Sequence, residues 1–236
     1  HGGPLPRQKR LLYDSGLKVP LVIRFPKGKR AGQRDDRLVS FVDFPATVLS
    51  LAGIETPKFM QGQAFEGKFK SKTDRKYIHG HADRFDESRD MIRAVRSKKF
   101  KYLKNFNPEK PYYLPLAFRE RLPSMLELLR MRDAGELDKN QALWFRKSKS
   151  EEELFDTEND PHELNNIVND PKYNEILVSM REECANWMYK IDDKGVINEK
   201  DLIELFYPQR KAKQTISPNI EISDKDVSVD IVTDGS

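Results

Sequence analysis

The sequence predicts an α+β fold, and three observations carry that reading. Apolar residues recur at spacings of three and four in three well-separated stretches. Short runs between them alternate or cluster apolar residues as strands do. Two of those runs are joined by a three-residue turn, which implies an antiparallel sheet with helices packed on it.

Taken in order, residues 1–16 hold Gly2, Gly3, Pro4 and Pro6 and read as a surface loop. Val19 to Phe25 is a β-branched run expected to form a strand buried on both faces, closed by Pro26 and a basic turn. Residues 40–53 place Phe41, Val42, Phe44, Val48, Leu49, Leu51 and Ala52 at helical spacing, with Pro45 in the first turn and Gly53 at the end. Lys76 to His81, Met91 to Arg96 and Phe100 to Leu103 read as strands, the last two forming a hairpin across Ser97-Lys98-Lys99. Residues 115–144 return to helix, with Leu126, Leu129, Met131 and Leu137 on one side. Glu153 to Asp156 reads as a short edge strand, and residues 171–191 as an amphipathic helix carrying Ile176, Leu177, Met180, Trp187 and Met188. Trp144 and Trp187 are expected in the core. Pro208 to Ser217 is basic and linker-like, and Ile220 to Val232 alternates as a separate β segment. Ending on a turn signal after one or two strands leaves an edge unpaired, so truncation is expected at both ends.

Composition limits the function classes. With 37% hydrophobic and 34% charged residues among 236, the core is expected to be modest. The net charge of +4, from 42 basic and 38 acidic side chains, argues against nucleic acid as a partner, whereas a local basic cluster could still serve a small anion. One cysteine, Cys184, rules out disulfides within the chain and reads as structural. No apolar run approaches the ~20 residues of a membrane span. The chain opens at His1 without a signal peptide, so its location cannot be read from the residues.

The chemistry lies at the front. His1-Gly2-Gly3, Lys9 and then Tyr13-Asp14-Ser15-Gly16 place an imidazole and an ammonium before the predicted strand, a combination suited to an oxyanion. These residues resemble the second half of the sulfatase active-site signature, in which a lysine precedes a Tyr-Asp/Glu-x-Gly element by four residues. Val42 to Ile54 is similar to the family's helix, and Met60-Gln61-Gly62 to the turn beyond it. Ile92 to Arg96 with Lys101-Tyr102, and Glu153 to Asp156 with Asp160-Pro161-His162-Glu163-Leu164-Asn165-Asn166, resemble the sheet and closing elements of its small C-terminal subdomain. The likeness covers roughly residues 1–190, with its motifs in the same order.

The resemblance implies residues 1–70 as the end of a large α/β domain, 71–207 as the C-terminal subdomain, and 208–236 as a linker and the start of a β module. It implies that His1 ligates calcium and that Lys9 holds the sulfate as a catalytic and substrate-binding group. The His79-Gly80-His81-Ala82-Asp83-Arg84 run adds His81 and Arg84 as candidate substrate contacts, although a strand-end histidine is often only a satisfied polar group. The formylglycine nucleophile is expected in an N-terminal half outside this chain, because Cys184 lacks the Pro and Arg of its motif; alone, the chain is expected to be inactive. The implied activity is hydrolysis of sulfate esters or sulfamates, the implied substrate a sulfated carbohydrate or aryl sulfate, and the location periplasmic or secreted. Two alternatives stay open, a phosphatase or phosphodiesterase of the same superfamily and a noncatalytic binding module. Four histidines are few for the two-metal site that the first would need.

Overall fold

Alternating apolar side chains over residues 78–105 fold as an antiparallel meander. The computed structural model describes residues 7–85, 88–210, 219–222 and 227–230. Strands β1 (Ile78–Phe85), β2 (Ser88–Arg96), β3 (Phe100–Asn105) and β4 (Glu152–Asp156) form one sheet in the order β1-β2-β3-β4, all neighbours antiparallel. The predicted hairpin is present, with Val95 opposite Tyr102 and Arg96 opposite Lys101. Ser97 closes it, its hydroxyl oxygen accepting the Phe100 N–H at 2.9 Å. The register between β1 and β2 shifts between Ala82 and Arg84, which marks a bulge. β4 arrives from later in the chain and takes the edge beside β3, as expected.

Because side chains alternate across a strand, the sheet buries two different faces. On one, Val95, Tyr102 and Leu154 meet Leu177, Met180 and Cys184. Those three lie along one stripe of the helix Asn174–Lys190, so Cys184 is a core residue. Leu154 and Met180 are almost completely buried, and each adds about 1.5–3 kcal/mol by leaving water. On the other face, Ile92, Ala94, Leu103 and Phe155 pack under Leu11, Leu12 and Tyr13, and under Tyr112, Leu116, Met125 and Trp144.

Three expectations need correction. Residues 7–17 are not a surface loop: Leu11, Leu12 and Tyr13 are buried, and Asp14–Leu17 is a helical turn, α1. Residues 19–25 form no strand, and Val22 is 89% exposed. The reason is physical: a strand needs a neighbour for its N–H and C=O groups, and no described strand runs beside it. The predicted helix over 115–144 is shorter. It runs Pro123–Ala134 (α3), begins on a proline, which suits a first turn, and stops at Gly135 with φ +71°. Asp138 then caps the short helix Lys139–Ala142 (α4), accepting the Asn140 and Gln141 N–H groups. Met125 is fully buried, whereas Leu126 is 54% exposed.

The helix expected over 40–53 is present as Asp43–Leu51 (α2), but its apolar stripe faces outward. Phe41, Val42, Val48 and Leu51 are exposed, while Asp43, Ala46, Thr47 and Ser50 are buried. That polar face is satisfied by the loop that follows. Asp43 accepts N–H groups from Ser40 at 2.9 Å and Gln63 at 2.8 Å and pairs with Arg75; Thr47 accepts from Phe65 at 3.1 Å, and Ser50 from Phe69 at 2.9 Å. Gly62 permits this approach, since a Cβ there would sit 1.9 Å from the Val42 carbonyl oxygen.

The final helix of this part, Asn174–Lys190, is α5. Chain contacts separate residues 1–192 from 193–236. The second unit holds helix α6 (Glu199–Phe206), which the sequence reading missed, and a hairpin of β5 (Asn219–Ile222) and β6 (Val227–Asp230) with Ile220 opposite Val229.

Candidate active-site segment

Residues 7–17 are fastened to the sheet by charged groups. Strand β3 turns Lys101 toward this segment, completely buried. Its ammonium lies 2.6 Å from Asp14 Oδ1 and 2.8 Å from Glu163 Oε1, and donates to the Leu12 carbonyl at 3.0 Å. Glu163 in turn accepts the Asp14 N–H at 2.6 Å. Arg96 on β2 holds the Asp14 carboxylate from the side, at 3.2 and 3.1 Å. Arg7 donates to the carbonyls of His162 and Glu163, both at 3.0 Å, and lies over the Tyr13 ring. Gly16 closes the turn, because a Cβ would stand 2.3 Å from the Gln8 carbonyl oxygen.

Electrostatics follow from burial and pairing. Burial alone would raise the Asp14 carboxyl, but its bonds with Arg96 and Lys101 outweigh this and hold it below the usual range. Burial raises Glu163 in spite of Lys101. Glu153 on β4 is 2% exposed and accepts from Tyr13 at 3.2 Å and Asn105 at 2.7 Å. Burial pushes its carboxyl up to about 7. A second buried pair, Asp90 and Lys149 at 2.6 Å, ties the start of β2 to the chain entering β4.

Lys9 sits on this framework. It is half-buried, its carbonyl accepts from Arg119 at 3.2 Å, and its ammonium lies 5.0 Å from the centre of the Phe118 ring. No carboxylate among the described residues pairs with that ammonium. A point charge held on an ordered backbone, with its donors unspent on acceptors among the described residues, can contact an oxyanion. His81 is exposed on β1 opposite Arg93. It shares a face with His79, which α5 has already engaged: His79 Nε2 is 2.9 Å from Glu183 Oε1, and its ring stacks on Trp187 at 4.8 Å. Between them, Gly80 lies under Leu12 and Leu17, so the Lys9 segment covers the opposite face of the sheet. The structure therefore does not bring His81 and Lys9 to the same face. Arg84 is exposed beyond the bulge, near the end of β1. His1 lies outside the described residues. Among those residues no group of three or more His, Cys, Asp or Glu side chains is placed to hold a metal, so they do not fit a calcium site by themselves.

A cavity of about 20 Å³ opens beside this network, lined in part by Arg7, Tyr13, Tyr112, Trp144, Arg146 and Glu153. That is room for a water and not for a sugar.

Sequence reasoning missed the buried charges, although the signal was present. Lys101, Arg96, Glu153 and Glu163 all lie within the quoted motifs. Buried charged residues need partners: Lys101 and Glu163 find each other, Arg96 and Lys101 share Asp14, and Glu153 takes Tyr13 and Asn105.

Comparison with known proteins gives these motifs a context. Residues 7–116 match the family model described as N-sulphoglucosamine sulphohydrolase, C-terminal. Over 237 aligned residues, covering all of this chain, it is 48% identical to an ulvan-active sulfatase of Formosa agariphila. The chain belongs to the sulfatase family. A human N-sulphoglucosamine sulphohydrolase is 24% identical over 222 residues, covering 85% of this chain. A solved 2-O GAG sulfatase aligns with 69% of this chain and 27% of its own, at 20% identity and a TM-score of 0.45. The chain spans 40% of the length of the Formosa sulfatase and 43% of the human one. No described helix is long and apolar enough to cross a membrane.

Proposed function

We propose that this chain forms the C-terminal part of a sulfatase that hydrolyses sulfate esters on a polysaccharide, with Lys9 contacting the sulfate. The single observation that supports this best is 48% identity, along the whole chain, to an ulvan-active sulfatase. Hydrolysis breaks a sulfur–oxygen bond and builds negative charge on the departing oxygen. A lysine with no counter-ion among the described residues, carried on the segment that the buried Asp14–Lys101–Glu163 cluster fastens to the sheet, is suited to meet anionic oxygens. Calcium, with His1 as one ligand, and a formylglycine outside this chain remain part of the proposal as the family's equipment. His81 and Arg84 are proposed as more distal substrate contacts, since both are exposed on β1. A substrate too large to enter a cell places the enzyme in the periplasm or outside.

The domain reading belongs here too. Leu21, Val22 and Ile23, with the outward stripe of Phe41, Val42, Val48 and Leu51, are exposed apolar groups. We assign residues 1–70 to the end of a larger α/β domain that covers them, 71–207 to the C-terminal subdomain and 208–236 to a linker and β module. The test is sulfate release from ulvan by the full-length protein, measured beside phosphate release from an aryl phosphate. Sulfate release alone supports the reading; phosphate release alone would replace it with a phosphatase.

A further inference from the structure

The chain's net charge is +4, yet residues 24–34 alone hold Arg24, Lys27, Lys29, Arg30 and Arg34 and no acidic residue. Residues 96–104 hold as many cations and likewise no acid, but each of those is paired with a carboxylate, so the 24–34 loop differs in how its charge is left. All five cations of the 24–34 loop are exposed. The loop is also shaped. Successive turns are closed by Gly28 N–H to Phe25 O at 3.2 Å, Ala31 N–H to Gly28 O at 3.0 Å and Gln33 N–H to Arg30 O at 3.2 Å. Arg30 anchors it, bonding Glu66 at 2.8 Å and Gln33 at 3.0 Å while lying over the Phe25 ring. Glu66 is shared with Arg37 at 3.0 Å, which Asp35 also engages, and Asp36 pairs with Lys98 at 3.0 Å, so each of these carboxylates already holds a cation outside the group Arg24, Lys27, Lys29 and Arg34. Arg24, Lys27, Lys29 and Arg34 have no ion pair among the described residues. Lys27 and Arg30 further adopt φ of +57° and +63°, a left-handed backbone that costs a non-glycine residue roughly 1 kcal/mol or more.

Four unpaired cations held close together on an ordered turn repel one another, and a ligand with several fixed negative charges relieves that repulsion. We propose that the 24–34 loop binds a sulfated polysaccharide chain through sulfate groups other than the one being hydrolysed. The proposal rests on the sulfatase reading for its choice of polyanion. Sulfates carried along one polymer match a row of cations better than a single small anion does, and each contact adds to the others at high effective concentration.

The test is binding, not turnover, of the full-length protein on immobilised dextran sulfate, with uncharged dextran and duplex DNA as comparison surfaces. It involves no hydrolysis, so its outcome is independent of the sulfate-release assay. At 0.01 M salt, where the Debye length is about 30 Å, binding to dextran sulfate is expected, with loss as salt rises. The triple variant Lys27→Glu, Lys29→Glu, Arg34→Glu is expected to bind about tenfold more weakly or worse. A second variant, Lys139→Glu, Lys147→Glu, Lys172→Glu, makes the same charge change at exposed sites elsewhere and is expected to stay within about twofold. Circular dichroism checks that both fold. No binding, equal loss in both variants, or tighter binding to DNA than to dextran sulfate would overturn the proposal.

Discussion

Replacing Lys101 with Met should unfold the Lys9 segment before it disturbs the rest of the sheet. Lys101 is completely buried, and its ammonium touches Asp14, Glu163 and the Leu12 carbonyl. The methionine keeps the unbranched stem, one atom shorter, but leaves Glu163, whose side chain is 1% exposed, without the Lys101 ammonium. Removing one partner of a buried ion pair costs about 3–5 kcal/mol, because the remaining charge stays desolvated. For a chain of this size that corresponds to a fall in Tm of roughly 6–20 °C, at about 2–4 °C per kcal/mol. Adding Glu163→Gln removes the stranded charge and keeps an acceptor for the Asp14 N–H, so the double variant should recover about 1–3 kcal/mol. Urea denaturation of the wild type, both single variants and the double completes the cycle. A loss below about 1 kcal/mol for Lys101→Met, or strict additivity in the cycle, would refute the account of the segment as fastened by these charges.

Two further outcomes follow from the geometry. Glu153 has a folded pKa of about 7, raised above the ~4.3 of an unfolded glutamate. Its protonated form is therefore favoured by folding, fully below pH ~4.3 and progressively less as pH rises through 7. Glu153→Gln should remove that dependence, so stability relative to wild type should improve by up to about 3 kcal/mol between pH 4 and 8; a pH-independent difference would contradict it. Val22 is 89% exposed, so Val22→Asp should change the stability of this chain by less than about 0.5 kcal/mol. The same change should lower the Tm and yield of the full-length protein, and no effect there would contradict the proposed large-domain contact.

The sheet was legible because Ile92 to Arg96 and Phe100 to Leu103 keep a two-residue period around a three-residue turn, which leaves one register. Helix α2 was legible from its spacing, but not its buried side. The hydrophobic stripe suggests an inward face, whereas the hydrogen bonds of Asp43, Thr47 and Ser50 to the loop at 63–69 turn the polar side in. Val19 to Phe25 has the composition of a buried strand and lies exposed, since composition reports what a segment can bury and not what lies beside it. Helix α6 was missed although Asn198 caps it, accepting the Asp201 N–H at 3.0 Å. Its eight residues offer only two turns of periodicity. The Lys9-to-Tyr13 spacing was readable from the motif alone. Its fastening to Lys101, Glu163 and Arg96 was not, because those contacts join residues 82 to 149 positions apart.

Lys9 carries the central claim, and its removal tests that claim most directly. Lys9→Ala in the full-length protein should leave Tm nearly unchanged, since the ammonium forms no ion pair among the described residues. It should lower kcat for sulfate release from ulvan by about 10²–10³, the loss of about 2.7–4 kcal/mol expected for one charge-stabilising contact. Wild-type turnover with the same Tm would remove Lys9 from the site and contradict the account.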